Sequence, residues 1–267
     1  MLKDKQFEKY KTLIYEKLGI HMSEAKREMV QSKLSKLMRE IDIACFDEYF
    51  NFLLENGNSE HWAKFIDEIT IHKTNFFRED HHFEFIRNKF EFIVKNNPRI
   101  MRNNEIRVWS SACSTGKEAY TLAIVLKEYL PANVQMKILA TDVSSGVISK
   151  AQKGSYSLDS EDMINPYFLC KYFQKAGNDY EIIPELKEAV TFRTFNLMDH
   201  FPFQHNFDII FCRNVMIYFN TETQADLIKK FYNVIAPGGL LFIGHSESLT
   251  QIQYKFKYVQ PTIYIKN

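Results

Sequence analysis

Four polar segments stand out because each follows an apolar, strand-like run and carries side chains that suit a ligand better than a core. The first, Ala112-Cys113-Ser114-Thr115-Gly116, is a turn of small residues that would let a cofactor approach backbone amides, although small residues also suit any tight strand-to-helix turn. The second is Asp142, whose carboxylate can accept both hydroxyls of a ribose or else cap a helix starting at Ser144. The third is Cys212-Arg213-Asn214-Val215-Met216-Ile217-Tyr218-Phe219. Burying Arg213 and Asn214 among its apolar residues is costly unless they meet a ligand or a paired group. The fourth is Gly244-His245-Ser246-Glu247-Ser248, directly after LLFI.

These segments argue against two common chemistries. A dinucleotide site needs G-x-G-x-x-G after the first strand, and only Gly116 is offered there. The GHSES run imitates a nucleophile elbow, but Ser248 stands where Gly is required, and no histidine follows His245 to complete a triad in chain order. S-adenosylmethionine remains, because it needs an acidic ribose clamp and a permissive first turn but no pyrophosphate cradle. No metal is expected: His81 and His82 are adjacent and diverge on a helix despite Glu84 nearby. Phe83, Phe85, Phe90 and Phe92 read as packing.

The elements that must position these residues alternate. IRVWSSA is strand-like and leads through STGKEAYTLAIVLKEYL, a polar turn and an amphipathic helix. KILATDV repeats the design, and VTFRTFN, FDIIFCRNV, TQADLIKKFYNVIAP and GGLLFIGH continue it. Such alternation predicts a mostly parallel sheet covered by helices, with ligands at the carboxyl ends of the strands. The rhythm breaks between Tyr156 and Ala189, which reads as an insertion. Upstream the pattern is helical: Phe7, Tyr10, Ile14 and Leu18 share one face, and Val30, Leu34 and Leu37 another. Gly19 is placed to end the first helix, and Ser23 with Glu24 to start the second.

Apolar residues at 45% and charged residues at 25% of 267 describe a folded globular chain. Lys and Arg number 34 against 33 acidic residues, and a net charge of +1 provides no global field toward nucleic acid or membrane. Cys45, Cys113, Cys170 and Cys212 are dispersed, which suggests neither disulfides nor zinc and fits a reducing cytoplasm. No signal core and no membrane-spanning run is evident.

Thr74-Asn75-Phe76-Phe77-Arg78, the S-T-G-x-E pattern from Ser114 to Glu118, the CRNVMIYF run and GHSES, in this order, resemble the CheR family of chemotaxis receptor methyltransferases. The resemblance runs from about Phe7 to the C-terminus. It implies an α/β fold: a small all-α N-terminal domain (1–78), then a Rossmann-like S-adenosylmethionine-dependent methyltransferase domain (79–267) carrying an inserted small β-subdomain (156–189). It implies methyl transfer from S-adenosylmethionine to glutamate side chains on the cytoplasmic helices of chemoreceptors, with S-adenosylhomocysteine as product and a monomer as the expected state. His72, Thr74, Arg78, Glu118, Asp142, Asn196, Arg213 and Asn214 would contact the cofactor, and Arg78 and Tyr218 would lie nearest the methyl group. The chain departs from the family at His72, where Asn is usual, at Lys117, where Glu is usual, and at Ala119, where Pro is usual.

An ionised glutamate needs no general base to attack a sulfonium methyl, so the implied work is positioning in a dry site. Arg78 and Tyr218 would orient the acceptor. One alternative is a non-catalytic scaffold of the same fold that senses S-adenosylmethionine or binds receptors. A nucleic-acid amino-methyltransferase is disfavoured, because CRNVMIYF stands where that class places a proline-rich motif. Lys26, Lys33, Lys36 and Arg39 lie on the second helix, and Lys26, Lys33 and Lys36 share one narrow arc. They read either as a solvated face or as a basic strip meeting acidic receptor helices.

Overall fold

The computed structural model describes residues 1–249 and 255–267. Helices α1 (Asp4–Leu18), α2 (Arg27–Glu40), α3 (Phe46–Glu55) and α4 (Ser59–Ile69) come first. Helix α1 buries Phe7, Tyr10, Ile14 and Leu18, the stripe expected from their spacing. It stops where Gly19 turns left-handed (φ 69°) and donates its N–H to the Tyr15 carbonyl. The expected cap at Ser23 is not made. Ser23 precedes a single tight turn, Glu24–Lys26, its side chain caps nothing, and α2 begins at Arg27. The Arg27 guanidinium binds Asp4 and Glu24 and draws that turn against α1.

Helices α5 (His81–Asn88), α6 (Phe90–Asn96) and α7 (Arg99–Asn103) lead into the alternating region. There β1 (Glu105–Ser110), α8 (Lys117–Tyr129), β2 (Gln135–Asp142) and α9 (Ser145–Lys153) follow one another. The interruption contains β3 (Ser155–Tyr156), α10 (Pro166–Tyr172), β4 (Phe173–Ala176), β5 (Asp179–Ile182) and α11 (Pro184–Ala189). The three strands form a small antiparallel sheet, in the order β3-β5-β4. The main pattern resumes with β6 (Val190–Thr194), β7 (Phe207–Cys212), α12 (Thr221–Val234), β8 (Ile235–Ile243), β9 (Phe256–Gln260) and β10 (Ile263–Lys266).

The large sheet runs β6-β2-β1-β7-β8-β10-β9. Its first five strands are parallel, and β10 and β9 pair antiparallel at the far edge. Because side chains alternate along a strand, the apolar runs feed two cores. Ile106, Val108, Ile209, Phe211, Leu240 and Phe242 pack with α5 and α8 on one face. Trp109, Ile210, Cys212, Leu241 and Ile243 pack on the other face with α12 and with the buried stripes of α1 and α2. The N-terminal helices therefore share a core with the sheet, and an isolated bridge between Ile20 and Phe219 adds a backbone link. Phe83 and Phe85 are buried, and Phe90 and Phe92 pack against the same core.

Connections leave β1 toward β2 in one direction and reach β7 in the other, so the sheet changes winding between β1 and β7. That crevice is where an open parallel sheet receives its ligand.

Candidate functional site

A cleft opens over the carboxyl ends of β1, β2, β6 and β7 and is closed from above by Leu18, Ile20, Met22, Lys26 and Met29 of the helical region. Its interior offers about 110 Å³ to the centres of water molecules. Around it stand Arg78, Tyr218, His72, Thr74, Glu118, Asp142, Asn196, Arg213 and Asn214, the whole set expected to meet cofactor or methyl group. Of the four basic residues assigned to receptor recognition, Lys26 lines the cleft as well.

Asp142 ends β2 with both carboxylate oxygens engaged. Oδ2 accepts the Ser114 N–H at 2.8 Å and Oδ1 the Ser144 N–H at 3.1 Å. The helix cap next door is Ser144, whose hydroxyl accepts the Val147 N–H, so Asp142 is left facing the cleft. Burial raises its pKa, opposed by those backbone N–H bonds. Each oxygen keeps a lone pair for a hydroxyl.

Glu118 sits in the first turn of α8, where Oε1 accepts the Ser110 hydroxyl at 2.7 Å. Its Oε2 lies 3.5 Å from Arg213 Nε. Burial raises the Glu118 pKa, and the Arg213 charge opposes the rise. The Arg213 side chain is 1% exposed and lies over the Phe83 and Phe211 rings, with its charge centre 5.5 Å and 5.7 Å from their centroids. One nitrogen donates to the Arg78 carbonyl, while Nε and Nη1 have no hydrogen-bond partner. A buried guanidinium with donors to spare is costly unless an anion completes it.

Nearer the opening, Arg78 donates to the Lys73 carbonyl at 2.9 Å, and Tyr218 is half-buried with the Lys26 ammonium 5.3 Å from its ring centroid. The Tyr218 carbonyl accepts the His21 N–H at 2.8 Å, tying the loop after β7 to the helical region. Asn196 makes a second tie, donating to the Lys17 carbonyl while accepting the Met198 N–H. His72 meets the Thr70 hydroxyl through Nε2, and its carbonyl accepts the Ser114 hydroxyl.

Several functional details escaped the sequence reading. Glu247 of the GHSES run is a buried brace: its carboxylate accepts the N–H groups of Gly244, Asn214 and Ile217 and so shapes the loop that carries Arg213 to Tyr218. Gly244 must be glycine, because a Cβ would stand 2.7 Å from the Asn214 backbone nitrogen and side-chain amide. Gly116, expected to admit a cofactor, instead admits packing: its Cβ would meet Ala151 at 2.7 Å, and its φ is +87°. Ser111, just before that turn, and Ala112 and Ser114 within it do line the cleft. Strain concentrates here too, with Phe77, Glu79, Ser114 and Asn214 all at φ between 49° and 57°.

The basic strip of α2 is dispersed. Lys33 donates to the Glu68 and Thr70 carbonyls at 2.5 and 3.3 Å, closing the C-terminal end of α4, and burial lowers its pKa. Lys36 pairs with Glu68 at 2.7 Å, and Arg39 is exposed. Helical spacing placed three lysines on one arc, but α4 lies against part of that arc.

The cleft fits S-adenosylmethionine on its own chemistry. Unpaired Arg213 donors would hold a carboxylate, the Glu118 carboxylate an ammonium, and Asp142 two hydroxyls. Among the described residues no group of three or more His, Cys, Asp or Glu is arranged to hold a metal ion, and no helix is long and apolar enough to cross a membrane.

Comparison with known proteins agrees with this geometry. Residues 72–265 match the family described as CheR methyltransferase, SAM binding domain, and residues 5–70 match CheR methyltransferase, all-alpha domain. A chemotaxis protein methyltransferase of Borreliella burgdorferi is 39% identical over 96% of this chain and 92% of that protein. The proteins of the same name from Salmonella typhimurium and Escherichia coli are 37% and 35% identical, each over 98% of this chain and 90% and 91% of their own lengths. With both of its regions matched and its cleft fitted to the cofactor, the chain belongs to the CheR family of S-adenosylmethionine-dependent methyltransferases.

Proposed function

We propose that this protein esterifies glutamate side chains on the cytoplasmic helices of chemoreceptors. The observation that carries this reading is the meeting of Arg78, Tyr218 and Lys26 beside a cleft whose inner wall is made of Arg213, Glu118 and Asp142. Polar and cationic groups at the opening suit an anionic acceptor, and the inner set suits the cofactor. The bound cofactor supplies a methyl group on a sulfonium; a glutamate oxygen forms the new O–CH3 bond as the S–CH3 electron pair returns to sulfur.

Every other contribution comes from the chain. Arg78 and the Tyr218 hydroxyl orient the acceptor carboxylate in line with the methyl group. The apolar ceiling of Leu18, Ile20, Met22 and Met29 excludes water, which favours a step in which opposite charges vanish. His72, Thr74, Asn196 and Asn214 complete the cofactor's surroundings. Residues 1–78 form the helical domain and residues 79–267 the methyltransferase domain with 156–189 as its inserted unit, and both domains contribute residues to the one cleft. The proposed working state is a cytoplasmic monomer, since one chain carries the full set. Lys26, Lys36 and Arg39 remain the proposed receptor-facing cations, with Lys33 contributing through the shape of the helical region.

Incubating the purified protein with methyl-labelled S-adenosylmethionine and membranes from the source organism tests the reading. A labelled receptor band that releases methanol on mild alkali is the expected result. Cofactor binding with no label transferred to any membrane protein would favour the non-catalytic scaffold.

A further inference from the structure

The residue after Arg78 has no assigned role, yet its surroundings are unlike those of an ordinary surface carboxylate. Glu79 is a non-glycine residue at φ +57°, two positions after Phe77 at +55°. Its side chain is 15% exposed. Oε1 accepts the Asn214 side-chain N–H at 3.1 Å, and Oε2 accepts the His245 backbone N–H at 3.1 Å. The same Oε2 lies 3.7 Å from Arg213 Nε. One carboxylate thus spans the turn that carries Arg78, the loop after β7 and the loop after β8.

A buried residue stands behind it. His82 is fully buried, and burial with the nearby Arg213 charge lowers its pKa to about 2, so its ring is neutral. The Thr262 hydroxyl donates to the Pro261 carbonyl at 2.6 Å, which leaves its oxygen to accept the His82 Nε2–H at 2.7 Å. A neutral ring with its proton on Nε2 turns a bare Nδ1 toward Glu79 Oε2, 3.8 Å away and without a hydrogen bond. Nothing on that side ties the carboxylate down, so its orientation is set by Asn214, His245 and Arg213. Asn214 is itself left-handed, at φ 57°.

We infer that Glu79 is a positioning residue for methyl transfer, holding the Asn214 amide and the Arg213 guanidinium in the geometry that receives the cofactor. This rests on the cofactor reading of Arg213 and Asn214. The carboxylate does not touch the reacting atoms, because its oxygens are already directed at the two loops. Its charge balances Arg213 together with Glu118: the two carboxylates lie 3.7 Å and 3.5 Å from the same Nε, so the guanidinium is not drawn wholly to one of them.

The test measures S-adenosylhomocysteine binding by calorimetry for wild type, Glu79→Gln, Glu79→Asp, Asn214→Ala and the Glu79→Gln/Asn214→Ala double variant, each with its thermal midpoint. Glu79→Gln keeps the size and loses the charge, and is expected to weaken binding about tenfold. Glu79→Asp should recover part of that loss. In the Asn214→Ala background the same Gln change should cost less than about threefold, because part of its route is already gone. Full additivity of the two changes would overturn the inferred route through Asn214. Wild-type affinity in Glu79→Gln, at whatever midpoint, would reduce Glu79 to a structural brace and overturn the inference. If Asn214→Ala alone binds as tightly as wild type while Glu79→Gln binds tenfold more weakly, the cofactor assignment of Asn214 fails while a route through Arg213 stands.

Discussion

Asp142 and Arg213 lie on the inner wall of the cleft, whereas Lys26, Arg78 and Tyr218 lie toward its opening, and the two regions are held in different ways. On the inner wall, Asp142 is fixed by two backbone N–H groups and Arg213 is buried against two phenylalanine rings. Toward the opening, Lys26, Arg78 and Tyr218 are half-buried; Arg78 makes a bond to the Lys73 carbonyl, and Lys26 rests over a ring. Groups held by backbone are arranged before a ligand arrives, at little entropic cost on binding. Long half-exposed side chains still have freedom to lose, and they can follow an incoming acceptor. The inner wall should therefore govern affinity for the cofactor, and the opening should govern turnover and receptor encounter.

The largest effect that could break this comparison is at Asp142. Replacing it with alanine should weaken S-adenosylhomocysteine binding by at least about 1.5 kcal/mol, roughly tenfold, as for other hydrogen bonds to a charged group. Calorimetry giving equal affinity would dissolve the distinction.

A smaller change is expected at Tyr218→Phe, which removes only a hydroxyl from the opening. Turnover should fall about fivefold at saturating cofactor while cofactor affinity stays within about twofold. A loss confined to cofactor binding would move Tyr218 to the inner wall.

Acidification probes the inner wall. Burial raises the pKa of both Glu118 and Asp142, and a bound ammonium and ribose favour their ionised forms. Cofactor binding should then release protons, so affinity falls as pH drops through the raised values of the free protein. Titrations at successively lower pH should show progressive weakening, and Glu118→Gln should flatten the curve. Affinity that rises on acidification would contradict the assigned charges.

The smallest effects separate the lysines of α2. Lys33→Met should lower stability by about 1 kcal/mol, because two carbonyls at the end of α4 lose their donor, and leave the receptor KM unchanged. Lys36→Glu should raise the receptor KM by less than about threefold, an effect that added salt should erase. A larger KM effect at Lys33 than at Lys36 would restore the continuous basic strip.

Much of this was legible in the residues themselves. The apolar runs KILATDV and FDIIFC are local signals, and they placed Asp142, Arg213 and Asn214 after strands, where a parallel sheet keeps its ligands. Gly19 ended α1 for an equally local reason, a left-handed residue closing the last turn.

What only the tertiary structure decided depends on partners far apart in the chain. Glu79 bonds the His245 backbone 166 residues away, and Lys33 finds its carbonyls 35 and 37 residues on, at the end of another helix. Helical spacing put Lys26 and Lys33 on one arc, yet Lys26 ends the turn before α2 and was brought beside Tyr218, and Lys33 lies on α2 under α4. Periodicity specifies which face of an element a side chain occupies. Which element then covers that face, and whether a charge there meets solvent, a carbonyl or a ligand, is settled by packing of the whole chain.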